Sequence, residues 1–397
     1  EEGDRSRDLG VQGARFVRRV GSASSCSAVE VFTALWRRRR RVSGFFSPPK
    51  PRQSDSLHRA VLLPLLPFAL LSLLPSVLAS QGDRSPAYQR CYDSRLPHCT
   101  PSFLFPCSAS TSYSCLTDLT NLALSPSSSS SLLLPGGELE GLVLGAQVQF
   151  YGKWPFRRFW GTQEILSVVF SLANLWAHYT GLKSLERVRT GSEGGRRLKR
   201  WYALNAFVGI NTWIWSVVFH TRDNDWTEKA DYFSAGASTL YGLWLVLARA
   251  GGLYRGRVRA RRAMMGVGLA VLIAHCTYLS TGRFDYSYNM TFNLVVGVSQ
   301  VLLWTLWSLS RSFAPHPSSA ADRTPNPIYP LFLLLVFSAL ELLDLPPVPA
   351  GLRLLDAHAL WHASTVGVVW MWYAFLKGDL RDVEEQERRM GGLRGRH

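Results

Sequence analysis

Polar and apolar positions divide this chain into two unlike halves. Before about residue 150 the apolar residues are scattered, apart from one run from Val61 to Leu78. From about Gln163 onward they gather into runs approaching the roughly 20 residues a helix needs to cross a bilayer. The runs fall at about 163–182, 201–220, 231–250, 263–280, 289–310, 327–343 and 358–376, which predicts seven transmembrane helices. The sixth is short and ends before Leu345-Pro346-Pro347, where proline offers no amide hydrogen to continue a helical ladder. The fold class expected is an all-α membrane protein: seven spans preceded by a signal peptide and a small luminal segment.

The ends of these runs carry polar residues of an unusual kind. Ser216 and His220 close the second run, Asp231 opens the third, and His358 and His362 open the last. Polar groups at hydrocarbon depth are costly, so their gathering at segment ends marks a candidate site.

Composition alone is less informative: 47% hydrophobic residues, 14 Trp and 20 Phe would suit a large globular protein. The net charge of +16 invites a nucleic-acid reading until its placement is traced. In the apolar half the basic residues alternate by loop. Lys183, Arg187, Arg189, Arg196, Arg197, Lys199 and Arg200 fill the first connection, and Arg255, Arg257, Arg259, Arg261 and Arg262 the third. Arg311 and Arg323 lie in the fifth, and Lys377, Arg381, Arg388, Arg389, Arg394 and Arg396 in the tail. By the positive-inside rule these face the cytosol. The intervening connections hold Asp223, Asp225 and Glu228, then Asp285, then Glu341, Asp344 and Asp356, and face the lumen. Topology therefore accounts for much of the charge, and no nucleic-acid partner is expected.

That orientation starts the first span outside the cytosol and so requires a translocated segment upstream. Arg59 followed by Val61 to Leu78, with Val77-Leu78-Ala79 resembling a small-residue cleavage site, reads as a signal peptide over 59–80; its length also permits an uncleaved anchor. Residues 1–58, rich in Arg and Ser, read as disordered or as a mispredicted upstream extension, the latter preferred. Residues 81–150 form the luminal segment, where Cys91, Cys99, Cys107 and Cys115 fall eight apart and predict two disulfides with three possible pairings. Cys26 and Cys276 lie outside that set. The membrane domain then occupies 151–376 and a cytosolic tail 377–397.

The chemistry follows from helical spacing. Ser216 and His220 are four apart and share a helix face, as do His358 and His362. The second span runs outward and the seventh inward, so both pairs meet in one luminal layer. Three imidazoles converging from two helices with a fourth position open is the arrangement of a catalytic zinc site. Zinc activates water and polarises an ester carbonyl. Asp231 is placed to move the proton and Ser216 to hydrogen-bond the oxyanion or the nucleophile. Two other readings compete. A Ser216-His220-Asp231 triad leaves His358 and His362 without a role, and haem ligation by facing histidines leaves an odd third histidine and a nearby carboxylate. His178 and His275 read as ordinary intrahelical polar groups, and His316 as a loop residue.

Several motifs in order carry a resemblance. Gly152-Lys153-Trp154-Pro155-Phe156, Phe219-His220-Thr221-Arg222-Asp223, Thr227-Glu228-Lys229 and Asp231-Tyr232-Phe233 are followed by Arg283-Phe284-Asp285-Tyr286 with Tyr288-Asn289. Glu341-Leu342-Leu343-Asp344 with Pro346-Pro347, Asp356-Ala357-His358-Ala359 and Trp361-His362 complete the series, and Ser80-Gln81-Gly82-Asp83-Arg84 extends it upstream. Together they resemble the Per-like family of the CREST hydrolase superfamily.

The resemblance implies a seven-helix hydrolase that removes the sn-2 acyl chain of glycosylphosphatidylinositol (GPI) anchors after their attachment to protein. Its partners would be GPI-anchored proteins, their lipid moiety and membrane lipids. It would work in the endoplasmic reticulum membrane or, alternatively, the Golgi membrane, with the site facing the lumen. The superfamily pattern falls on Glu164 and Ser167, on Ser216, His220 and Asp231, and on His358 and His362. It implies zinc on the three histidines and a catalytic set of Ser216, Asp231, Glu164 and Ser167. Helix capping is the other reading of Glu164 and Ser167. The chain departs from the family before Gly152, where Ser114-Cys115-Leu116 and the serine tract Ser127 to Ser131 replace a richer cysteine pattern, as a mispredicted splice region would. A non-catalytic seven-helix receptor or assembly factor with a structural zinc is the alternative function. Asn289-Met290-Thr291 is a glycosylation sequon set too close to a span for modification, which points to a structural role.

Overall fold

The computed structural model describes residues 82–100, 106–282, 284–312, 326–343 and 345–394. The expected signal peptide and the segment 1–58 lie outside these residues. Among the described residues there is no strand, only three isolated bridges and a series of helices.

A helix stands on each of the seven apolar runs. They are α3 (Ile165–Glu186), α4 (Glu193–Thr221), α5 (Asp225–Ala250), α6 (Val258–Ser280), α7 (Tyr286–Ser312), α8 (Ile328–Leu343) and α9 (Ala357–Arg394). By length and composition α3, α4, α6 and α7 can cross a membrane, and α8 is apolar over Ile328–Glu341 but shorter. The chain is thus a multi-pass α-helical membrane protein. Large apolar side chains such as Trp176, Phe207, Val267 and Val295 face outward, as lipid contact requires.

Element ends are set by local chemistry. Ser192 caps α4 by accepting from the Gly195 amide at 2.9 Å. Asn224 and Thr227 form a reciprocal capping box on α5, so a turn of three residues reverses the chain after α4. Asp356 Oδ1 accepts from the Ala359 amide at 2.7 Å to start α9. The apolar patterning underestimates two helices because charged residues leave the apolar run without leaving the helix. α4 begins eight residues before the expected Trp201. α9 runs through the expected tail to Arg394, supported by Arg388–Glu384 and Arg389–Glu385 pairs one turn apart.

The core of the bundle is α3, α4 and α9, with α3 packed on both others. α5 lies on α4, α8 on α9, and α6 and α7 pack outside on α5. Small residues allow the closest approaches: a Cβ on Gly181 would stand 2.2 Å from the Tyr373 ring, and one on Gly209 2.2 Å from His178.

Before the bundle, α1 (Pro86–Arg95) and α2 (Cys107–Ala123) form a small lobe around Tyr88, Leu116, Leu119, Leu139 and Phe150. Of the three pairings open to its four cysteines the structure has Cys91–Cys115 and Cys99–Cys107, and Cys276 is free. Arg353 Nη2 donates to Asn121 Oδ1 at 2.8 Å, and Gln147 Nε2 to the Pro347 carbonyl at 2.9 Å, tying the lobe to the loop before α9.

At the other end of the bundle, Arg249 of α5 grips Asp379 of α9 through two bonds of 2.7 Å, and the Tyr202 hydroxyl of α4 donates to Asp379 at 2.6 Å. Asp379 is fully buried and Arg249 nearly so. One turn on, Glu384 of α9 accepts from the Gly191 and Ser192 amides and the Ser192 hydroxyl at the start of α4. Asp379→Ala leaves the Arg249 charge buried and is expected to cost about 3–5 kcal/mol. The readout is thermal unfolding in detergent, where Arg249→Met in the same chain should restore most of the loss.

Glu384 supplies a pH test. Burial pushes its carboxyl up, but the Ser192 hydroxyl, the Gly191 and Ser192 amides and Arg388 outweigh it and hold the group below its ordinary value. A depressed carboxylate stabilises above its unfolded value of roughly 4.3 and loses that contribution as pH falls through the lower folded value. The stability gap between wild type and Glu384→Gln should be full at neutral pH and close in acid. A gap independent of pH would rule the cap out as the cause.

Candidate metal centre

The last two turns of α4 carry Ser216 and His220, the first turns of α9 carry His358 and His362, and the N-cap and first turns of α3 carry Glu164, Ser167 and Ser171. Because these helices form the core, their ends converge. One ring nitrogen each from His220, His358 and His362 lies within 4.8 Å of the others, close enough to hold a metal ion. His220 and His362 are buried, and His358 is partly so.

The outer ring nitrogens fix how the inner ones are used. His220 Nδ1 lies 2.7 Å from Glu164 Oε2, and His358 Nδ1 lies 2.6 Å from Glu341 Oε2. A carboxylate only accepts, so each Nδ1 donates and each neutral imidazole keeps its lone pair on Nε2. His362 Nδ1 meets Ser171 Oγ at 2.9 Å and the Ser167 carbonyl at 3.4 Å. The Nε2 atoms of His220 and His358 stand 3.3 Å apart. Two lone pairs at that distance repel unless a proton or a metal ion lies between them. Two nitrogens about 2.0–2.1 Å from a tetrahedral zinc stand roughly 3.3 Å apart, so the donor spacing fits. Imidazoles whose far nitrogens are held by carboxylates are also the usual support of a metal.

The remaining expected residues divide. Glu164 occupies the N-cap position of α3 without a side-chain capping bond; its carboxylate goes to His220 and accepts from Ser167 Oγ at 3.3 Å. Its amide also donates to the His220 carbonyl at 3.1 Å, so one residue holds both the ring and the backbone of a candidate ligand. Ser216, buried, meets Ser171 Oγ at 3.0 Å. Asp231, in the second turn of α5, lies within electrostatic reach of His220, His358, Glu341 and Glu164. The Ser216-His220-Asp231 triad is not assembled, since both ring nitrogens of His220 are engaged elsewhere. Nor does a 3.3 Å nitrogen separation leave room for a haem.

Three members escape the sequence reading. Glu341 is named there only as a charge and a motif residue. Ser171 and Asn174 complete a stripe with Glu164, Ser167 and His178 along one face of α3, at the three-and-four spacing that marks a face. Asn174 donates to the His362 carbonyl at 2.7 Å, and His178 Nδ1 meets the Tyr373 hydroxyl at 2.8 Å. Trp213 stacks edge-on to His362 with centroids 5.1 Å apart. The turn beyond His220 is pinned by Lys153, which bonds Asp223 at 2.6 Å and Glu228 at 3.2 Å. Burial lowers the Lys153 ammonium, but the two carboxylates raise it further, so it stays charged.

Comparison with known proteins follows the same residues. The Per1-like family description matches residues 97–380. The Protein PER1 homolog of Schizosaccharomyces pombe is 35% identical over 327 residues, covering 78% of this chain and 90% of that protein. The GPI-specific phospholipase A2-like PGAP3 of Xenopus tropicalis is 36% identical over 325 residues, covering 79% and 95%. The human protein of that name is 40% identical over 233 residues, covering 58% and 68%. With its histidines, their supporting acids and the helices that carry them inside the matched region, the chain belongs to the Per1-like family.

Proposed function

We propose that this protein is a GPI-anchor remodelling hydrolase that removes the sn-2 acyl chain from GPI-anchored proteins by zinc-assisted ester hydrolysis. The observation that carries the reading is the histidine cluster, whose supporting carboxylates turn two ring nitrogens onto a shared point. The names of the relatives supply the substrate class. In this reading α3 to α9 are seven spans. Their basic connections face the cytosol, and the histidine layer faces the lumen of the endoplasmic reticulum or, alternatively, the Golgi.

Zinc held by His220, His358 and His362 would supply Lewis acidity toward an ester carbonyl and toward a water in its open position. The chain supplies the rest. Glu164 and Glu341 hold two imidazoles in the tautomer that presents Nε2. Asp231 takes the proton of the attacking water and returns it to the departing glyceryl oxygen, so that ester and water give a fatty acid and a lysolipid. Ser216, oriented by Ser171, donates to the oxygen that gains charge at the acyl carbon.

Purified wild type should carry zinc and release fatty acid from a defined GPI lipid. His362→Ala should lose both metal and activity. Asp231→Asn should keep the metal and lose roughly 10²–10⁴ in rate. Equal rates in all three would sink the hydrolase reading; zinc without hydrolysis in wild type would favour a receptor or assembly factor.

Glu341 has its own test, because it touches a ligand and not the metal. Glu341→Gln should weaken zinc retention by about 10- to 100-fold while the unfolding midpoint holds, and added zinc should restore the rate. Unchanged zinc affinity would remove Glu341 from the site.

A further inference from the structure

Beside the histidine layer, the structure holds a small solvent-open cleft. Its walls are Ala109 and Ser110 of α2, Arg158 and Gln163 of the segment leading into α3, and Arg222 and Asp223 of the turn after α4. It adjoins the metal centre through the backbone. The Gln163 amide donates to the Thr221 carbonyl at 3.2 Å, next to the Glu164 and His220 pairing. Arg222 is two residues beyond His220, on the order of 7 Å of chain.

The charges in this cleft are arranged for an anion. Arg158 lies 3.8 Å over the Tyr113 ring, and its Nε is buried without a hydrogen-bond partner in the protein. A buried donor left unpaired is costly and points to something that completes it. Burial lowers the Arg158 pKa, Tyr113 opposes that shift and Arg222 adds to it, so two like charges are held within reach of each other. Asp223 does not cancel them, because Lys153 engages its carboxylate at 2.6 Å. Guanidinium groups have the planar fork that matches phosphate oxygens.

We propose that this cleft is the subsite for the phosphodiester of the glycerophospholipid substrate, read by Arg158 and Arg222. The proposal rests on the hydrolase reading for its substrate class. A phosphodiester is a few bonds from the sn-2 ester, so a phosphate held here brings that ester to the neighbouring histidine layer. The cleft then sets which acyl chain is presented, a selection that three histidines alone do not make.

The test uses the full chain in detergent with short-chain phosphatidylinositol and the matching diacylglycerol, which has the esters and lacks the phosphate. Direct binding and hydrolysis are both measured. Arg158→Met should raise KM for phosphatidylinositol by about tenfold or more, the loss expected for one charge-assisted bond, and leave diacylglycerol hydrolysis within about twofold. Arg158→Lys should recover part of the loss. Ser110→Glu, at an exposed position on the rim, should reproduce the loss with both arginines intact. Inorganic phosphate should compete with phosphatidylinositol on wild type and not on Arg158→Met.

Equal KM of wild type for both lipids, or unchanged binding and KM in both Arg158→Met and Ser110→Glu, overturns the subsite while leaving the hydrolase reading intact. Phosphate-dependent binding that Arg158→Met abolishes, in a wild type that cuts neither lipid, supports the subsite and overturns the hydrolase reading instead.

Discussion

Three imidazoles cannot present their lone pairs to one point unless something holds the far side of each ring. The architecture of α3, α4 and α9 follows from that need. Glu164 serves His220, Glu341 serves His358, and Ser171 with the Ser167 carbonyl serves His362. α3 supplies the supports for two of the three rings, which accounts for the polar stripe it turns toward α4 and α9. With Nε2 atoms 3.3 Å apart two neutral rings that both present lone pairs repel, and a proton or a metal ion between them removes the repulsion. A site assembled in advance of a metal ion would lose little entropy in binding one.

Such preorganisation requires that the helices not slide. The far end of the bundle is built for this, with Asp379 of α9 joined to Arg249 of α5 and Tyr202 of α4, and Glu384 closing the first turn of α4. α4 and α9 therefore meet at both ends, through the histidine cluster at one and buried charges at the other. In a bilayer, apolar packing between helices has no solvent-driven advantage over packing with lipid, so polar clasps and close small-residue contacts carry more of the specificity. α6 and α7 lie outside this frame and contribute outward apolar surface.

The sequence made the bundle legible because long apolar runs mark helices that turn apolar faces to their surroundings, and each of the seven runs from about Gln163 onward is a helix. Helix ends were not legible from the apolar runs, since charged residues end such a run without ending a helix: α4 starts at its Ser192 cap, well before Trp201, and α9 is the clearest case. The histidines were legible as polar residues in a costly place. Ser171 and Asn174 were not, because a serine or asparagine in a span is unremarkable until the face it shares with Glu164 and Ser167 is traced. Glu341 was read as a loop charge, although it sits at the end of α8. The disulfide pairing and the cleft depend on contacts between α1, α2 and segments distant along the chain, which no local pattern encodes.

The depth of the site along the helices bears on its substrate. His220 is the penultimate residue of α4, and His358 is the second residue of α9. The layer therefore lies at the ends of these helices and not at their midpoints. In the proposed hydrolase, helix ends set at the boundary between hydrocarbon and headgroup would meet a lipid's ester carbonyls at that level, so an ester would reach this layer without leaving the bilayer. Below it the outward apolar faces of the bundle meet acyl chains. α2 of the disulfide-bonded lobe forms one wall of the arginine cleft. In the proposed reading, apolar surface, histidine layer and arginine cleft would take the acyl chain, the ester and the phosphate of one phospholipid in that order.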